Sequence, residues 1–353
     1  MKVILDNICF SLQRMGGISV VWGSLIRALK ESNLDYLCLE YPEDLNNQVR
    51  KSIVDICVER RKTNHLKIER YLDPQVTCND PFIFHSSYYR ICKNKHAINI
   101  TTVHDFTYEK YRKGLARWVH SWQKFRAIKA SDVVVCISEN TKRDVIHYCP
   151  TIDRNKIRII YNGVSADYHI TETDKFTHLG EYVVFVGSRQ SYKQFELVVR
   201  ALKNTTYILA IVGGKLNNEE IRFVDENLGA DNYVQLGYLS NEELNALYNQ
   251  AVCLAYPSAY EGFGIPVLEA QRAGCPVIAF NASSIPEIIG DTPLLLDELS
   301  VPAFLDKLDI LKDGEQRKKI ISSGLENSKR FSWEKMGEEY VSLYKELLAN
   351  KGQ

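Results

Sequence analysis

The C-terminal half of the chain alternates short, continuously apolar segments with amphipathic ones. Apolar runs separated by segments of helical periodicity indicate buried strands of a parallel sheet that helices cover on both faces. The predicted strands cover residues 182–187, 207–213, 233–236, 252–256 and 277–280, and the predicted helices cover residues 194–202, 219–227 and 241–250. This order of elements predicts a doubly wound α/β domain.

The N-terminal half repeats this pattern less regularly. Strands are predicted at residues 2–5, 36–39, 82–85, 98–103, 133–137 and 157–161, whereas residues 41–80 are harder to assign. With 353 residues, the chain exceeds the size at which one hydrophobic core usually keeps growing. We therefore expect two α/β domains, at residues 1–165 and 181–331, with a polar linker at 166–180 and a final helix at 332–349.

The charged residues are balanced, with 44 Lys and Arg against 44 Asp and Glu. No overall field draws such a chain to nucleic acid, so no nucleic-acid partner is expected. The nine cysteines are an odd number without a C-x-x-C pair, which is typical of reduced thiols in a cytosolic protein. The first residues lack a signal-peptide core, and no apolar run is long enough to span a bilayer. The expected location is the cytoplasm.

A glycine-rich stretch between two glutamates follows the predicted strand at 252–256. Glu261 and Glu269 bracket it, and Gly262 and Gly264 let the backbone come close to a ligand. Pro266 fits the first turn of a helix, whose unpaired amides would face an anion. Carboxylates accept paired hydroxyl donors well, so sugar diols are natural ligands here. Neither glutamate is placed like a metal ligand.

This stretch, Tyr-Glu-Gly-Phe-Gly-Ile-Pro-Val-Leu-Glu-Ala, resembles the retaining GT-B glycosyltransferases that carry an E-x7-E motif. Further segments resemble the same family and occur in the family's order over nearly the whole chain. They are Gly16-Gly17-Ile18, residues 102–105, 137–141, 160–164 and 186–189, Lys193, residues 236–239 and 274–278. The resemblance implies two Rossmann-like domains that face a central cleft, with the final helix crossing back to the N-terminal domain.

The resemblance also implies roles for individual residues. Glu261 would contact hydroxyls of the donor sugar, Glu269 the ribose hydroxyls, and His104 would lie against the donor sugar. The other implied donor contacts are the backbone around Gly262, Phe263 and Gly264, the glycines Gly16 and Gly17, and a base pocket lined by Leu239 and Leu244. From chemistry alone, those two leucines are ordinary core residues.

Arg189 and Lys193 follow the predicted strand at 182–187 and could face one crevice. Sugar transfer from a nucleoside diphosphate builds negative charge on the leaving group, and the chain contains no D-x-D motif for a metal. A guanidinium fork and an ammonium group can meet phosphate oxygens instead. We therefore expect a metal-independent site with no cofactor, in which Arg189, Lys193, His104 and Glu261 carry the catalysis.

Acceptor recognition is expected in the N-terminal domain. Tyr88 and Arg90 follow the strand at 82–85, and Asp105 follows His104. Residues 108–129 are rich in Tyr, Trp, Lys and Arg, which suits either an amphipathic helix that packs Trp118 and Trp122 inward or a peripheral contact with a membrane. The inward packing is the preferred interpretation.

The expected activity is the transfer of a mannose-like or glucose-like hexose from a nucleotide sugar to a glycan or lipid-linked glycan, in cell-surface polysaccharide biosynthesis. Two alternatives share the phosphate chemistry. A sugar-nucleotide 2-epimerase would form product isomers without an acceptor, and a non-catalytic scaffold subunit would bind the donor without turnover. A dinucleotide dehydrogenase is disfavoured because no G-x-G-x-x-G follows the first strand.

Overall fold

The computed structural model describes residues 2–14, 16–63 and 65–351. The chain divides into two compact units, and each is described by itself. The first unit runs up to Gly163 and resumes at Ser332, and the second unit is Val164–Phe331.

In the described part of the first unit, seven parallel strands form a sheet in the order β3-β2-β1-β4-β5-β6-β7. The strands are β1 (Lys2–Asp6), β2 (Asp35–Glu40), β3 (Val58–Arg60), β4 (Phe82–Ser86), β5 (Ala97–Val103), β6 (Val133–Cys136) and β7 (Ile157–Ile159). The helices are α1 (Ile8–Leu12), α2 (Gly17–Glu31), α3 (Gln48–Lys51), α4 (Leu66–Glu69), α5 (Thr107–Tyr111), α6 (Gly114–Ala130) and α7 (Glu139–Tyr148). The central strands β4 and β5 are buried throughout, as expected of parallel strands covered on both faces, although polar residues such as His85 and Asn99 interrupt their apolar runs.

The second unit repeats the architecture with six parallel strands in the order β10-β9-β8-β11-β12-β13. The strands are β8 (Tyr182–Val186), β9 (Ile208–Val212), β10 (Tyr233–Gly237), β11 (Cys253–Tyr256), β12 (Val277–Phe280) and β13 (Leu295–Leu296). The helices are α8 (Phe195–Leu202), α9 (Asn218–Leu228), α10 (Asn241–Gln250), α11 (Ile265–Arg272), α12 (Ile285–Ile289), α13 (Val301–Ile310) and α14 (Gly314–Ser328). The predicted doubly wound fold is therefore confirmed in both units.

The last helix, α15 (Trp333–Lys351), returns to the first unit, as predicted. It packs against α2, and its buried side chains join the core of that unit. Those side chains are Met336, Tyr340, Leu343, Tyr344 and Leu348. At Gly163, where the chain leaves the first unit, a Cβ would lie 2.2 Å from the backbone nitrogen of Trp333. The two crossing segments approach so closely that only glycine fits there.

The segment predicted as a linker, residues 166–180, packs within the second unit. Tyr168 and Phe176 are buried. Side-chain amides of α10 accept hydrogen bonds from the backbone of this segment, from His169 to Asn245 at 3.0 Å and from Thr171 to Asn249 at 2.8 Å. The backbone groups of this polar segment are therefore paired with a neighbouring helix.

Each sheet reverses its strand order at one point, between β1 and β4 in the first unit and between β8 and β11 in the second. In open α/β sheets, ligands bind outside the carboxyl ends of the strands at such a switch point. The loops that follow these four strands are therefore the places to look for a site. In the described part of the chain, no helix combines the length and apolar character needed to cross a bilayer.

Candidate functional site

The loop between β11 and α11 is held in place by neighbouring loops at the switch point of the second unit. The Ala259 amide donates to the carbonyl of Tyr192 at 2.7 Å. The Ser284 hydroxyl donates to the carbonyls of Glu261 at 3.0 Å and Phe263 at 2.8 Å. The loop backbone is thereby fixed before any ligand arrives. Sequence reasoning missed Ser284, although its position shortly after β12 is a signal that could have identified it.

Gly264 ends this loop in a conformation that suits glycine. Its φ is 110°, and a Cβ there would lie 2.9 Å from the Ile285 side chain. The helix α11 begins at the next residue, with Pro266 in its first turn. The helix α11 therefore starts beside the carboxyl end of β11, so the positive end of its dipole lies at the switch point, which favours an anion.

Lys193 and Glu261 meet at this edge. Lys193 ends a short 3-10 helix after β8, and its Nζ lies 2.5 Å from Oε1 of Glu261. The same Nζ is 3.4 Å from the Tyr256 hydroxyl. Both charged side chains are largely buried, with 14% and 13% of their areas exposed. The structure therefore brings two of the predicted site residues into direct contact at the switch point.

Arg189 has a different acidic partner. Its Nε donates to Glu220 at 2.9 Å, and its Nη2 donates to the carbonyl of Lys215 at 2.9 Å. Only 9% of its side chain is exposed, and within the described residues its Nη1 has no hydrogen-bond partner. The two cations that sequence analysis assigned to one crevice are thus held by different carboxylates.

Glu269 lies in α11, about one turn beyond its start. Burial raises the pKa of its carboxyl to about 7, and a hydrogen bond from Tyr168 acts in the opposite direction. Part of the side chain nevertheless reaches the surface. A carboxyl group with this pKa changes charge near neutral pH. Of the predicted base-pocket residues, Leu244 is buried in α10 and Leu239 is partly buried in the preceding loop.

His104 follows β5 and lines a cavity of about 270 Å³ in the first unit. Burial lowers the pKa of its imidazole to about 4, so the ring is neutral near pH 7. Asp105 and Tyr88, two predicted acceptor residues, line the same cavity. Gln13, Arg70, Tyr108 and His120 contribute further polar and aromatic surface that sequence analysis did not assign.

A buried charge network holds the loop that carries His104. The ammonium group of Lys124 is fully buried and donates to the carbonyl of Asp105 at 2.9 Å and to Glu109 at 2.7 Å. Burial acts to raise the pKa of the Glu109 carboxyl, but the nearby His120 ring, the Lys124 charge and the hydrogen bonds from Lys124 and Ser121 outweigh burial and hold this pKa at about 2. Glu109 is therefore ionised and anchors Lys124 beneath the loop.

Arg90 does not line this cavity. It is buried and pairs with Asp6, the last residue of β1, at 3.4 Å. Its Nη2 also donates to the Tyr41 hydroxyl at 3.0 Å, and that hydroxyl donates to Asp6 at 2.7 Å. The structure therefore places Arg90 in a buried network with Asp6 and Tyr41, because the ends of β1 and β4 are adjacent. Tyr88 instead accepts a hydrogen bond from Arg70.

Gly16 and Gly17 stand at the start of α2, in the loop that follows β1 and α1. The φ of Gly16 is 166°, which is extended backbone. A Cβ on Gly17 would meet no atom within 4 Å. The structure therefore shows no steric need for glycine at position 17, whereas a Cβ on Gly16 would lie 2.6 Å from the Gln13 side chain.

The preferred interpretation of α6 is wrong, because Trp118 and Trp122 face solvent. Their exposed fractions are 65% and 50%. The buried face of α6 carries Gln123, Lys124 and Ala127 instead. Lys124 is drawn inward by Glu109 and by the rings of Phe106 and Tyr89, at 4.6 and 5.4 Å from the ring centres. The inward face of α6 therefore carries this buried ion pair, and the tryptophans lie on the outward face.

The described residues contain no group of three or more His, Cys, Asp or Glu side chains arranged to hold a metal ion. At each switch point a carboxylate contacts a cation and a tyrosine hydroxyl: Glu261 with Lys193 and Tyr256, and Asp6 with Arg90 and Tyr41.

Two family models match consecutive parts of the chain. The model for Glycosyltransferase Family 4 matches residues 15–168, and the model for Glycosyl transferases group 1 matches residues 173–327. The chain is 42% identical to O-antigen chain mannosyltransferase B of Escherichia coli over 113 residues, which are 32% of this chain and 30% of that protein. It is 26% identical to an uncharacterized glycosyltransferase of Methanocaldococcus jannaschii over 98% of this chain and 99% of that protein.

Solved structures share the fold over the whole chain. Sucrose-phosphate synthase from Thermosynechococcus elongatus has a TM-score of 0.79 at 18% identity, covering 99% of this chain and 100% of that one. Anabaena HepE in complex with UDP-glucose has a TM-score of 0.73 at 14% identity, covering 98% and 100%. From the two family models and this shared fold, we conclude that the chain belongs to the group 1 glycosyltransferases of GT-B fold.

Proposed function

We propose that this glycosyltransferase is retaining and metal-independent, and that it moves a hexose from a nucleoside-diphosphate sugar to a glycan or lipid-linked glycan. The contact between Lys193 and Glu261 carries the proposal. It joins a cation and a carboxylate at the switch point of the second unit, beside the start of α11. A sugar diphosphate needs both kinds of group, because its phosphates are anionic and its sugar carries hydroxyls.

When the donor binds, the ion pair between Lys193 and Glu261 separates and each side chain binds a group of the donor instead. Phosphate oxygens compete with Glu261 for the Lys193 ammonium, and the released carboxylate accepts hydroxyls of the sugar. The positive end of the α11 dipole faces the diphosphate, and Glu269 accepts hydrogen bonds from the ribose hydroxyls. Arg189 joins the phosphates by exchanging Glu220 for a phosphate oxygen. The backbone of the loop stays in place because Ser284 holds it.

In the transfer step, the acceptor hydroxyl oxygen bonds to the anomeric carbon while the bond from that carbon to the β-phosphate oxygen breaks. The hydroxyl proton passes to the leaving phosphate on the same face of the sugar, which preserves the anomeric configuration. Hydrogen bonds to charged groups contribute roughly 1.5–3 kcal/mol each, and a helix start contributes about 0.3–1 kcal/mol. Lys193 and α11 together therefore stabilise the leaving group by several kcal/mol without a metal.

We assign acceptor recognition to the cavity of the first unit. Its aromatic surface at Tyr88 and Tyr108 suits stacking against a sugar ring, and the neutral imidazole of His104 can exchange hydrogen bonds with a hydroxyl. The similarity to an O-antigen mannosyltransferase supports a mannose-like donor sugar and a polysaccharide product. The UDP-glucose complex of a structural neighbour supports a nucleotide-sugar donor, with a glucose-like sugar as the other option. We propose that the reaction takes place on the cytoplasmic side.

The first experiment is calorimetric titration of the purified chain with UDP and GDP in excess EDTA, followed by the matching nucleotide sugars. We expect one nucleotide to bind without metal. Lys193→Ala should weaken binding by at least roughly tenfold, since it removes a charge-assisted hydrogen bond. Lys203→Ala, at an exposed lysine just after α8, is the matched control and should bind as the unmodified chain does.

Turnover assays with and without an acceptor glycan then separate the activities. Formation of an isomeric nucleotide sugar without acceptor would replace the proposal with an epimerase. Binding that never leads to transfer or hydrolysis would indicate a scaffold. Loss of nucleotide binding in EDTA would contradict metal independence, and normal transfer by folded Lys193→Ala would contradict the role assigned to Lys193.

A further inference from the structure

The helix α6 presents an apolar stripe to solvent. Leu115, Trp118 and Trp122 lie at positions i, i+3 and i+7, which share one helical face. Their exposed fractions are 75%, 65% and 50%. Tyr111, at the end of the preceding helix α5, is 40% exposed. Tryptophan is costly to leave in water, so a stripe of this kind indicates a surface that has a partner.

A neighbouring segment extends the apolar surface. Ile68 in α4 is 61% exposed and Leu72 is 56% exposed. Two contacts tie this segment to α6. Gln123 donates to the carbonyl of Arg70 at 2.8 Å, and Arg126 forms a double hydrogen bond with Asp73 at 2.6 Å. The exposed apolar residues therefore belong to two adjacent and mutually anchored segments rather than to one loose loop.

The charges that α6 and the residues just before it carry are of one sign. Residues 110–130 contain no Asp or Glu. Arg112, Lys113 and Arg117 are exposed, and no acidic partner for them occurs among the described residues, whereas Lys110 pairs with Asp144. We call the stripe Leu115, Trp118 and Trp122, together with Arg112, Lys113 and Arg117, the aromatic-basic face.

We propose that the aromatic-basic face docks on an anionic lipid bilayer. Tryptophan rings prefer the headgroup level of a bilayer, and exposed Lys and Arg are attracted by anionic headgroups. The charge argues against a symmetric dimer through this face, because two copies would bring like charges together. An anionic surface, in contrast, complements the whole face at once.

The position of the face relates it to the cavity of the first unit. Tyr108 of α5 and His120 of α6 line that cavity, and Tyr108 is 36% exposed. The elements that carry the aromatic-basic face therefore also carry part of the cavity wall. Docking would bring this wall close to the headgroups, where a lipid-linked acceptor lies. This last step rests on the proposed acceptor function, whereas the docking itself does not.

Co-sedimentation of the full chain with vesicles tests the docking. One set of vesicles contains phosphatidylglycerol and phosphatidylcholine in equal parts, and the other contains phosphatidylcholine alone. We expect binding to the anionic vesicles that weakens with added salt. Trp118→Ser with Trp122→Ser should reduce the affinity roughly tenfold or more, and Arg112→Gln, Lys113→Gln and Arg117→Gln together should remove the preference for anionic vesicles.

Matched variants in the second unit serve as controls. Lys203→Gln, Arg222→Gln and Lys319→Gln remove the same charge from exposed positions and should bind vesicles as the unmodified chain does. Circular dichroism confirms that each variant is folded. Equal binding by the tryptophan variant, or no binding to anionic vesicles at low salt, would overturn the proposal. A dimer seen by light scattering that the tryptophan variant dissolves would show instead that the face joins two copies. Nucleotide binding is titrated without vesicles. A negative result for membrane docking therefore leaves the proposed glycosyltransferase function untouched, and the reverse also holds.

Discussion

At the residue scale, the two glutamates of the glycine-rich loop and its helix differ in their electrostatic surroundings. Glu261 pairs with Lys193, whereas no cation in the described part of the chain pairs with Glu269. Burial therefore dominates at Glu269 and raises the pKa of its carboxyl to about 7. The spacing of the two residues could be read from the sequence, but this difference in charge state could not, because it depends on what surrounds each carboxyl.

Nucleotide affinity should therefore depend on Glu269 and pH. The carboxylate form accepts the ribose hydroxyls, and the raised pKa means that this form is lost as the pH falls through about 7. We expect affinity to drop roughly tenfold between pH 8 and pH 6 relative to Glu269→Gln. Calorimetry measures the nucleotide affinity of both proteins at both pH values. Dividing the affinity of the unmodified chain by that of the variant cancels the effect of titrating the nucleotide phosphate. Parallel pH profiles for the two proteins would contradict the role of Glu269.

At the scale of elements, the strand, loop and helix from β11 to α11 form one rigid part. The apolar run, the glycines and Pro266 predict the strand, the turn and the helix start, because each depends on neighbours along the chain. The hydrogen bonds from Ser284 come from a loop that follows another strand, and only the order of strands in the sheet makes β11 and β12 adjacent.

Gly264→Ala tests this part of the molecule. An alanine would have to adopt a φ of 110° and place its Cβ 2.9 Å from the Ile285 side chain. We expect a loss of about 1–3 kcal/mol in the free energy of unfolding, together with weaker nucleotide binding. Urea denaturation and calorimetry measure the two effects.

Gly314→Ala, at the start of α14, is the matched control for this variant. A Cβ at Gly314 meets no atom within 4 Å, so stability should stay within about 0.5 kcal/mol of the unmodified chain. If Gly264→Ala were equally harmless, the loop would have enough freedom to adjust, and its backbone would not be fixed as proposed.

At the scale of the whole molecule, α15 completes the core of the first unit from the far end of the chain. His85 marks the junction. Its Nδ1 lies 2.6 Å from the Tyr344 hydroxyl, and its Nε2 lies 2.9 Å from the hydroxyl of Thr102. Tyr340 contacts the same Thr102 at 2.9 Å. These polar contacts lie in an otherwise apolar core and hold α15 in one register.

Stability should fall in acid because of this junction. Burial lowers the pKa of His85 to about 3, whereas a histidine in the unfolded chain binds a proton near pH 6.5. The unfolded chain therefore takes up more protons between these values, and stability decreases as the pH falls from 6.5. Between pH 7 and pH 4.5 the unmodified chain loses part of its free energy of unfolding, and we expect His85→Gln to reduce this loss by about 2–3 kcal/mol. Urea unfolding at each pH measures it.

His178→Gln provides the control for the acid effect, because His178 is exposed in the second unit. Its pH profile should follow that of the unmodified chain. If the His85→Gln profile were the same as well, His85 would not be the group that senses acid at the junction with α15.

The sequence alone was sufficient to predict both α/β units, the final helix and the placement of Lys193, Glu261 and His104 at the ends of strands. The return of that helix to the first unit was implied only by the resemblance to the family. Apolar periodicity and turn residues act between neighbours along the chain, so they can be read without coordinates. The roles of Arg90, Arg189 and the tryptophans of α6 could not be read in this way. Arg90 pairs with Asp6 because β1 and β4 are adjacent in the sheet. Lys124 lies on the inward face of α6, where it pairs with the buried Glu109, and the tryptophans lie on the opposite, exposed face. Such pairings depend on which groups folding removes from water together, and this is settled in three dimensions rather than along the chain.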